Sequence, residues 1–555
     1  MGRGSVRRSE MKAATSTMLG PGLLCALSLL ALLALLGASV SSCSATDTKP
    51  RSQGGSPSTE AQKRTESQDS AASNSDSQPE RSTVVPVSVF PPTQNRWSYL
   101  PEPVTAQIPI PDTGAELLEL AELRSTASAP RPPGSDDRFT RVAEGTPTRF
   151  LDLAVDVGRR RSLNPLRMAR NSALIAVAAH EAAVTAARTP LPDGQSPAQV
   201  DPEFAEPIPG IDSVGIELPS RQLPPELVAS SAQRSVACAL YVVECLRFDR
   251  LQQIAKQRVV ASGALWPSTI TAAQQLGNSV GLAVLAFAAT DGAAPWVASS
   301  ADPWPGGDWV PTPGMFAPAM EPFAGTWRPW NLDSGSQFRP SAPPAPGSAE
   351  HAAAIEQVLA EATNLSDREL RVAAFWDQSP GTSTPPGYWI SDIAADSLRQ
   401  APVADQASGL ALVSTAALDA GIAAWDSKFA YWTVRPVTVI RDSTSPHWLP
   451  SLQTPPFPAY VSGHAAFSTA AAQIMSVLRP ERTDELLNAA AEATDSRLTG
   501  GLHYWFDLVQ GAALGQKVGD AALRKAGLPS VPSGVVPVAE RLRYKSADVR
   551  TRPAK

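Results

Sequence analysis

Cysteine and histidine are the scarce residues of this chain, four and five in 555. Four thiols are too few for a disulfide scaffold or a structural zinc site. Cys238 and Cys245 lie seven apart inside one helical pattern, about 10 Å along its axis and too far for a bridge unless the helix breaks. Both are expected to be small buried residues. Surplus positive charge is also missing, and a net charge of −6 argues against the clustered basic surface that nonspecific nucleic-acid binding needs. No segment of about 20 to 50 residues recurs, which excludes a solenoid or propeller. Strand-like alternation is nearly absent, and aromatic residues make up only 6%. What is abundant is proline, 53 residues or about twice the usual share, beside Ala-rich segments of helical period. Any imidazole chemistry must draw on His180, His351, His447, His464 or His503.

Arg3, Arg7, Arg8 and Lys12 precede an apolar stretch from Met18 to Val40, interrupted early by Gly20-Pro21-Gly22. Charge, then an apolar run, then small residues reads as an export signal over 1–42. The run ends in Val40-Ser41-Ser42-Cys43, which resembles a bacterial lipobox. The resemblance implies lipidation of Cys43 and attachment to the outer face of a bacterial membrane. An uncleaved anchor and ordinary signal-peptidase cleavage are the alternatives. Arg7-Arg8 is a weak twin-arginine likeness, with Glu10 where an apolar residue is usual. Cleavage before Cys43 removes Cys25, four basic residues and one acidic residue, taking the charge from −6 to −9. Residues 43–94 are Ser, Thr, Gln, Asp and Pro with few apolar residues, too polar to offset chain entropy, and are expected to form a flexible tether.

Beyond the tether, 168–187, 225–261, 268–290, 406–434, 463–478 and 503–526 carry apolar residues at three-to-four spacing. The expected fold is all-α: helical bundles joined by long Pro-rich loops, with an N-terminal helical region over 95–345 and a catalytic bundle over 346–527. The loops 303–348 and 379–389 are too long for turns and are expected to wrap the helices or shape a pocket mouth. No apolar run after Val40 is read as long enough to span a bilayer, so the body is expected to be soluble. The C-terminal segment 528–555 is basic, with Arg541, Arg543, Lys545, Arg550, Arg552 and Lys555 against Asp548, and is expected to be a solvated, frayed end.

Three blocks carry the chemistry. In Trp425-Asp426-Ser427-Lys428 through Arg435-Pro436, the two cations are seven apart. On one helix that returns them to nearly the same azimuth, before Pro436 ends it. In Phe457-Pro458-Ala459-Tyr460-Val461-Ser462-Gly463-His464, Ser462 and Gly463 sit where a helix begins, and its free N–H groups favour an anion. In Ser496-Arg497 through His503-Tyr504-Trp505-Phe506-Asp507, a Gly pair interrupts one helix, His503 opens the next, and Asp507 one turn on can orient the imidazole.

In order and spacing these blocks resemble the signatures of the superfamily uniting vanadium-dependent haloperoxidases with type 2 phosphatidic acid phosphatases and bacterial acid phosphatases: Lys-x6-Arg-Pro, Pro-Ser-Gly-His and Ser-Arg-x5-His-x3-Asp. Thr454-Pro455-Pro456-Phe457 and Trp425 look like the haloperoxidase branch. So do Asn164-Pro165-Leu166, Trp309-Val310-Pro311-Thr312-Pro313, Phe375-Trp376-Asp377 and Pro385-Pro386-Gly387. The resemblance covers about residues 150–526. Val461 stands where the signature has Pro.

The resemblance implies a vanadate cofactor, with no haem, nucleotide or zinc. Lys428, Arg435 and Arg497 would neutralise its oxygens, and Ser462 and the Gly463 N–H would hydrogen-bond them. His503 would bond vanadium and His464 would act as acid/base. Trp425 and Phe457 would flank the halide side, and Asp377 would pair with Arg497. The activity implied is oxidation of halide by hydrogen peroxide, with Lys428 polarising the bound peroxide. The alternative is phosphate ester hydrolysis with His503 as nucleophile and His464 protonating the leaving oxygen; a non-catalytic surface-binding lipoprotein is a third reading. His180 and His351 are expected to pack in the fold, and His447 to lie at the pocket mouth.

Overall fold

The computed structural model describes residues 88–127, 146–206, 208, 222–294, 308–544 and 546. The export signal, Cys43 and the tether up to residue 87 lie outside the described residues. By contacts the chain separates into Met1–Arg81 and Ser82–Lys555, and everything described belongs to the second unit.

The helices that build the site are numbered in chain order: α1 (Pro165–Arg188), α2 (Pro225–Leu240), α3 (Cys245–Ala261), α4 (Pro267–Ala288), α5 (Val403–Tyr431), α6 (Pro436–Ser443), α7 (Gly463–Leu478), α8 (Thr483–Thr499) and α9 (Trp505–Lys525). Among the described residues there is no strand, only isolated β-bridges. Start signals are visible in the sequence: Pro opens α1, α2, α4 and α6, and Asn164 caps α1 by accepting the Arg167 N–H.

Helix α5 is the axle. It packs on α1 on one side and on α7 and α9 on the other, so a single core runs from Tyr99 to Tyr544 across the position 345/346 where the sequence suggests a boundary. By length and composition, Val403–Ser443 is apolar enough to cross a membrane, contrary to the expectation above. Its apolar window is wholly buried within the protein, the position of a core helix.

Helices α7 and α9 approach closely because α9 presents glycine every fourth residue to α7. A methyl group at Gly511, Gly515 or Gly519 would lie 2.7 Å from the Ser462 carbonyl oxygen, 2.5 Å from that of Ala466 or 2.9 Å from Gln473 Cβ. The Pro-rich loop from residue 308 wraps the bundle as expected. Its Met320 N–H donates to Pro456 O at 2.8 Å, and the Trp330 and Asn331 N–H groups donate to buried Asp419.

Two expectations fail here. The helix drawn over 225–261 is broken: α2 stops at Leu240, Tyr241 leaves helical geometry (φ −129°, ψ 61°), and one 3-10 turn leads into α3. The corner brings the Cα atoms of Cys238 and Cys245 to 4.5 Å, and the two half-buried cysteines are disulfide-bonded rather than free and buried. Buried Tyr241 stacks on Phe248 across the corner (5.9 Å), so apolar periodicity runs on through the break and conceals it.

The basic C-terminal segment is not frayed as far as it is described. Val538, Leu542 and Tyr544 are buried, Arg541 pairs with Asp484 at 2.7 Å, and the Arg543 N–H donates to Asp495. Apolar burial and acidic partners on α8 offset the chain entropy expected to free it. Lys545 and residues 547–555 lie outside the described residues.

Candidate active site

The three blocks meet at one end of α5, α7 and α9. Lys428 lies in the last turn of α5, but Arg435 does not share that helix. The helix closes at Tyr431 with Trp432 left-handed (φ 49°), and Pro436 opens α6 rather than ending α5, with Arg435 as its N-cap. The two cations converge by another route, through the extended segment 457–459. Lys428 Nζ donates to Pro458 O (2.8 Å) and Ala459 O (3.0 Å), and Arg435 Nε donates to Phe457 O (2.8 Å). The Tyr460–Val461 peptide that follows is cis.

Ser462 caps α7, and its own N–H donates to Asp507 O at 3.0 Å, which ties the second block to the third. His503 lies two residues ahead of α9 rather than opening it. Arg435 Nη1 stands 3.1 Å from His503 Nε2, and His503 Nδ1 stands 2.9 Å from Asp507 Oδ2. A guanidinium only donates, so Nε2 is the accepting nitrogen and Nδ1 carries the hydrogen that Asp507 receives. Asp507 Oδ2 also accepts the Tyr504 N–H (3.1 Å). The expected orienting contact is therefore formed.

His464 Nε2 donates to the Trp376 carbonyl at 2.9 Å, which leaves Nδ1 as its basic nitrogen. Arg497 donates from Nε to Ser496 Oγ (3.0 Å) and from Nη2 to Ala373 O (3.2 Å). The expected pairing of Arg497 with Asp377 is not made. The Asp377 carboxylate instead accepts the Ser379 hydroxyl at 2.7 Å and acts on Arg497 only through its charge.

Lys428, Arg435 and Ser462 are fully buried and Arg497 nearly so. Arg435 Nη2, Arg497 Nη1 and Asp507 Oδ1 are buried without a hydrogen-bond partner. Burial, followed by the nearby Arg435, drives the Lys428 amine well below its ordinary range, with Asp507 opposing. Burial pushes Arg435 down to about 10 and Arg497 to about 9. It pushes Asp507 up to about 7, against the pull of Lys428. His503 and His464 are both held well below the usual imidazole value, first by burial and then by Arg435 and Arg497 respectively. Three basic side chains thus face two carboxylates, Asp507 acting on Lys428 and Arg435 and Asp377 acting on Arg497, and this surplus of basic groups suits an oxyanion better than a metal cation.

Over this cradle lies a narrow cleft that opens to solvent. Gly463, His464, Arg497 and His503 line its floor, while Trp425 and Phe457, ring centroids 4.8 Å apart, give it an apolar side. Other walls come from Met320, Ser379 and Pro380, in the two loops expected to shape a pocket mouth, and from Gln378 and Gln453, which sequence reasoning did not single out. Loops supply these, and no local period marks a loop residue that will face a cavity. Of the other histidines, His180 and His351 are buried away from the cleft, and His447 is exposed and does not line it.

Residues 409–484 match the family described as the VCPO second helical-bundle domain. A segment of 87 residues is 40% identical to vanadium chloroperoxidase from Curvularia inaequalis, covering 13% of this chain and 14% of that protein. The fold is similar to the crystal structure of the first bacterial vanadium-dependent iodoperoxidase, with 25% identity, a TM-score of 0.52, and coverage of 70% of this chain and 98% of the other. It is also similar to a holo-type bacterial vanadium-dependent chloroperoxidase, with 16% identity, a TM-score of 0.47, and coverage of 66% and 93%.

Proposed function

We propose that this chain, which is similar to vanadium haloperoxidases in one helical-bundle segment and in fold, oxidises halide with hydrogen peroxide at a vanadate held in the cradle described above. One observation carries the reading. Two buried guanidinium nitrogens, Arg435 Nη2 and Arg497 Nη1, lack partners, and beside them the unprotonated Nε2 of His503 faces Arg435, whose hydrogen bond a ligand would take over. Unsatisfied buried donors of this kind cost about 1–3 kcal/mol each, so the donor set suits an anion with several acceptor oxygens.

Vanadate fits that donor set: Lys428, Arg435 and Arg497 would hold its oxygens, Ser462 and the Gly463 N–H would add neutral donors, and His503 Nε2 would be the ligand nitrogen. The chemistry it would supply is activation of hydrogen peroxide toward attack by halide. The chain's own residues do the rest. Asp507 holds the His503 tautomer, so the lone pair stays on Nε2. His464 is neutral near pH 7 because its pKa is depressed, and it takes up or releases protons at Nδ1 while the Trp376 carbonyl fixes the ring. Lys428, pinned by two carbonyls and 4.8 Å from the Phe457 ring centre, holds its amine behind the apolar wall of Trp425 and Phe457, where a halide can be partly desolvated.

The test is a paired assay on purified protein: bromide or chloride oxidation with vanadate and peroxide, beside phosphate ester hydrolysis without vanadate. Vanadate-dependent halide oxidation is expected. Brisk ester hydrolysis with no such oxidation would overturn the reading in favour of the phosphatase alternative.

We further propose that the protein is exported and lipid-anchored through Cys43. The lipobox-like run supports this, and the Cys238–Cys245 disulfide suits an oxidising compartment. Incorporation of labelled palmitate that Cys43→Ser abolishes is the expected result; labelling unchanged in the variant would refute it.

A further inference from the structure

Met320 lines the cleft beside the apolar wall. Its backbone is fixed on both sides, the N–H donating to Pro456 O (2.8 Å) and the carbonyl accepting Trp425 Nε1 (3.0 Å). The residue is partly buried and packs against the core, so its thioether is held near the cradle and does not sweep through solvent. The other described methionines provide internal standards. Met168 and Met475 are fully buried, and Met315 is 49% exposed but does not line the cleft.

A thioether is a soft, oxidisable group with no place in a proton relay or an oxyanion cradle. Placed in a cleft where oxidant is generated, it is the first protein sulfur that the product meets. We infer that Met320 is a self-oxidation site: hypohalous acid released in the cleft converts its thioether to the sulfoxide before the oxidant escapes. This inference rests on the haloperoxidase reading.

The reaction balances. The sulfur lone pair attacks the halogen of hypohalous acid, forming a sulfur–halogen bond as the halogen–oxygen bond breaks and hydroxide leaves. Water then adds to sulfur, halide departs with the sulfur–halogen electron pair, and of the two protons that the water loses one neutralises the hydroxide and the other passes to buffer. In sum, thioether and hypohalous acid give sulfoxide, halide and a proton. Sulfur is oxidised and the halogen is reduced back to the substrate anion. The product side chain is polar and stands against Trp425 and Phe457, the wall that would desolvate halide.

Exposure and confinement make opposite predictions. An oxidant acting from bulk solution would reach Met315 before partly buried Met320, because susceptibility follows exposure. An oxidant formed in the cleft would reach Met320 first. The test is peptide mapping by mass spectrometry of the full chain during turnover with vanadate, peroxide and bromide, with and without an excess of free methionine as a bulk scavenger. A parallel sample receives peroxide and vanadate without halide.

The Met320 peptide is expected to gain one oxygen on the order of tenfold faster than the Met315 peptide. The scavenger should protect Met315 and not Met320, and the halide-free sample should leave Met320 at background. Met320→Leu, of similar volume, should show no oxygen gain in that peptide, which locates the modification. Vigorous halide oxidation with Met320 intact, or with Met315 oxidised faster, overturns this inference and leaves the proposed function standing. No halide oxidation at all removes both.

Discussion

Two buried histidine clusters sit in this fold, and only one of them is a candidate site. His180, on α1, is fully buried and stacked on Trp97 at 4.4 Å. Both its ring nitrogens are engaged, Nδ1 with Ser408 Oγ (3.0 Å) and Nε2 with Trp97 O (3.0 Å). The neighbouring Arg96 is ion-paired with Asp405. Around His503 the same ingredients recur, an imidazole, buried arginines and an aspartate, yet three basic side chains share the charge of Asp507 and Asp377 and guanidinium nitrogens stay unpartnered. Both histidines are hard to protonate, and burial is the leading cause in each. A depressed imidazole therefore identifies neither cluster as functional. What separates them is the surplus of basic groups and unmet hydrogen-bonding capacity, the signs of a binding site.

Paired substitutions should separate the clusters most widely. His503→Ala removes the ligand nitrogen, and vanadate affinity should fall below detection by isothermal titration. His180→Ala should leave that affinity unchanged while costing about 2–3 kcal/mol of unfolding free energy for the lost ring and its hydrogen bonds. If both variants lose vanadate, the division into packing and site histidines is wrong. Next in size is His464→Ala, which should slow turnover by about 10²- to 10⁴-fold with vanadate still bound. An unaltered pH–rate profile in this variant would contradict the proton role.

Replacing a cation should act with opposite sign in the two places. Arg497→Gln should weaken vanadate binding by about 1.5–3 kcal/mol yet stabilise the vanadate-free protein by about 1 kcal/mol, because a buried charge without a direct ion pair is gone. Arg96→Gln should destabilise by about 3 kcal/mol, because Asp405 is left without its partner. Denaturant unfolding of both variants checks the sign.

The smallest effect is in acid. The His180 pKa is pushed from 6.5 down to about 3, so between those values the unfolded chain takes up a proton that the folded chain refuses. Its stabilising share is present above pH 6.5 and is lost as pH falls toward 3, amounting to about 1.4 kcal/mol one pH unit below the unfolded value. His180→Gln should flatten that limb of the stability curve; an unchanged slope would show that the ring does not stay neutral.

Much of this was legible in the sequence, for reasons that particular residues make plain. The Ala-rich helices declared themselves by period, and α7 begins at Gly463 and ends at Leu478, where the pattern put it. The site blocks were legible because each couples a charged or polar residue to a helix end, at Ser462, Lys428 and Asp507. Long-range closure was not legible. Periodicity ran straight through the corner at Tyr241, so the Cys238–Cys245 bond was missed. Nothing local told that Lys428 and Arg435 meet through carbonyls of residues 457–459 and not along one helix. Asp377 sits beside Ser379 in its own loop, and that near partner claimed the carboxylate expected for Arg497.

The glycines at positions 511, 515 and 519 act as a caliper. Because α9 seats directly on α7 through them, the gap between the helix start at Ser462–Gly463 and the imidazole of His503 is fixed by backbone thickness, with no compressible side chain between. One added methyl group, on a helix face that never meets the ligand, would force the jaws apart by a fraction of a bond length, and the binding pocket would lose its gauge.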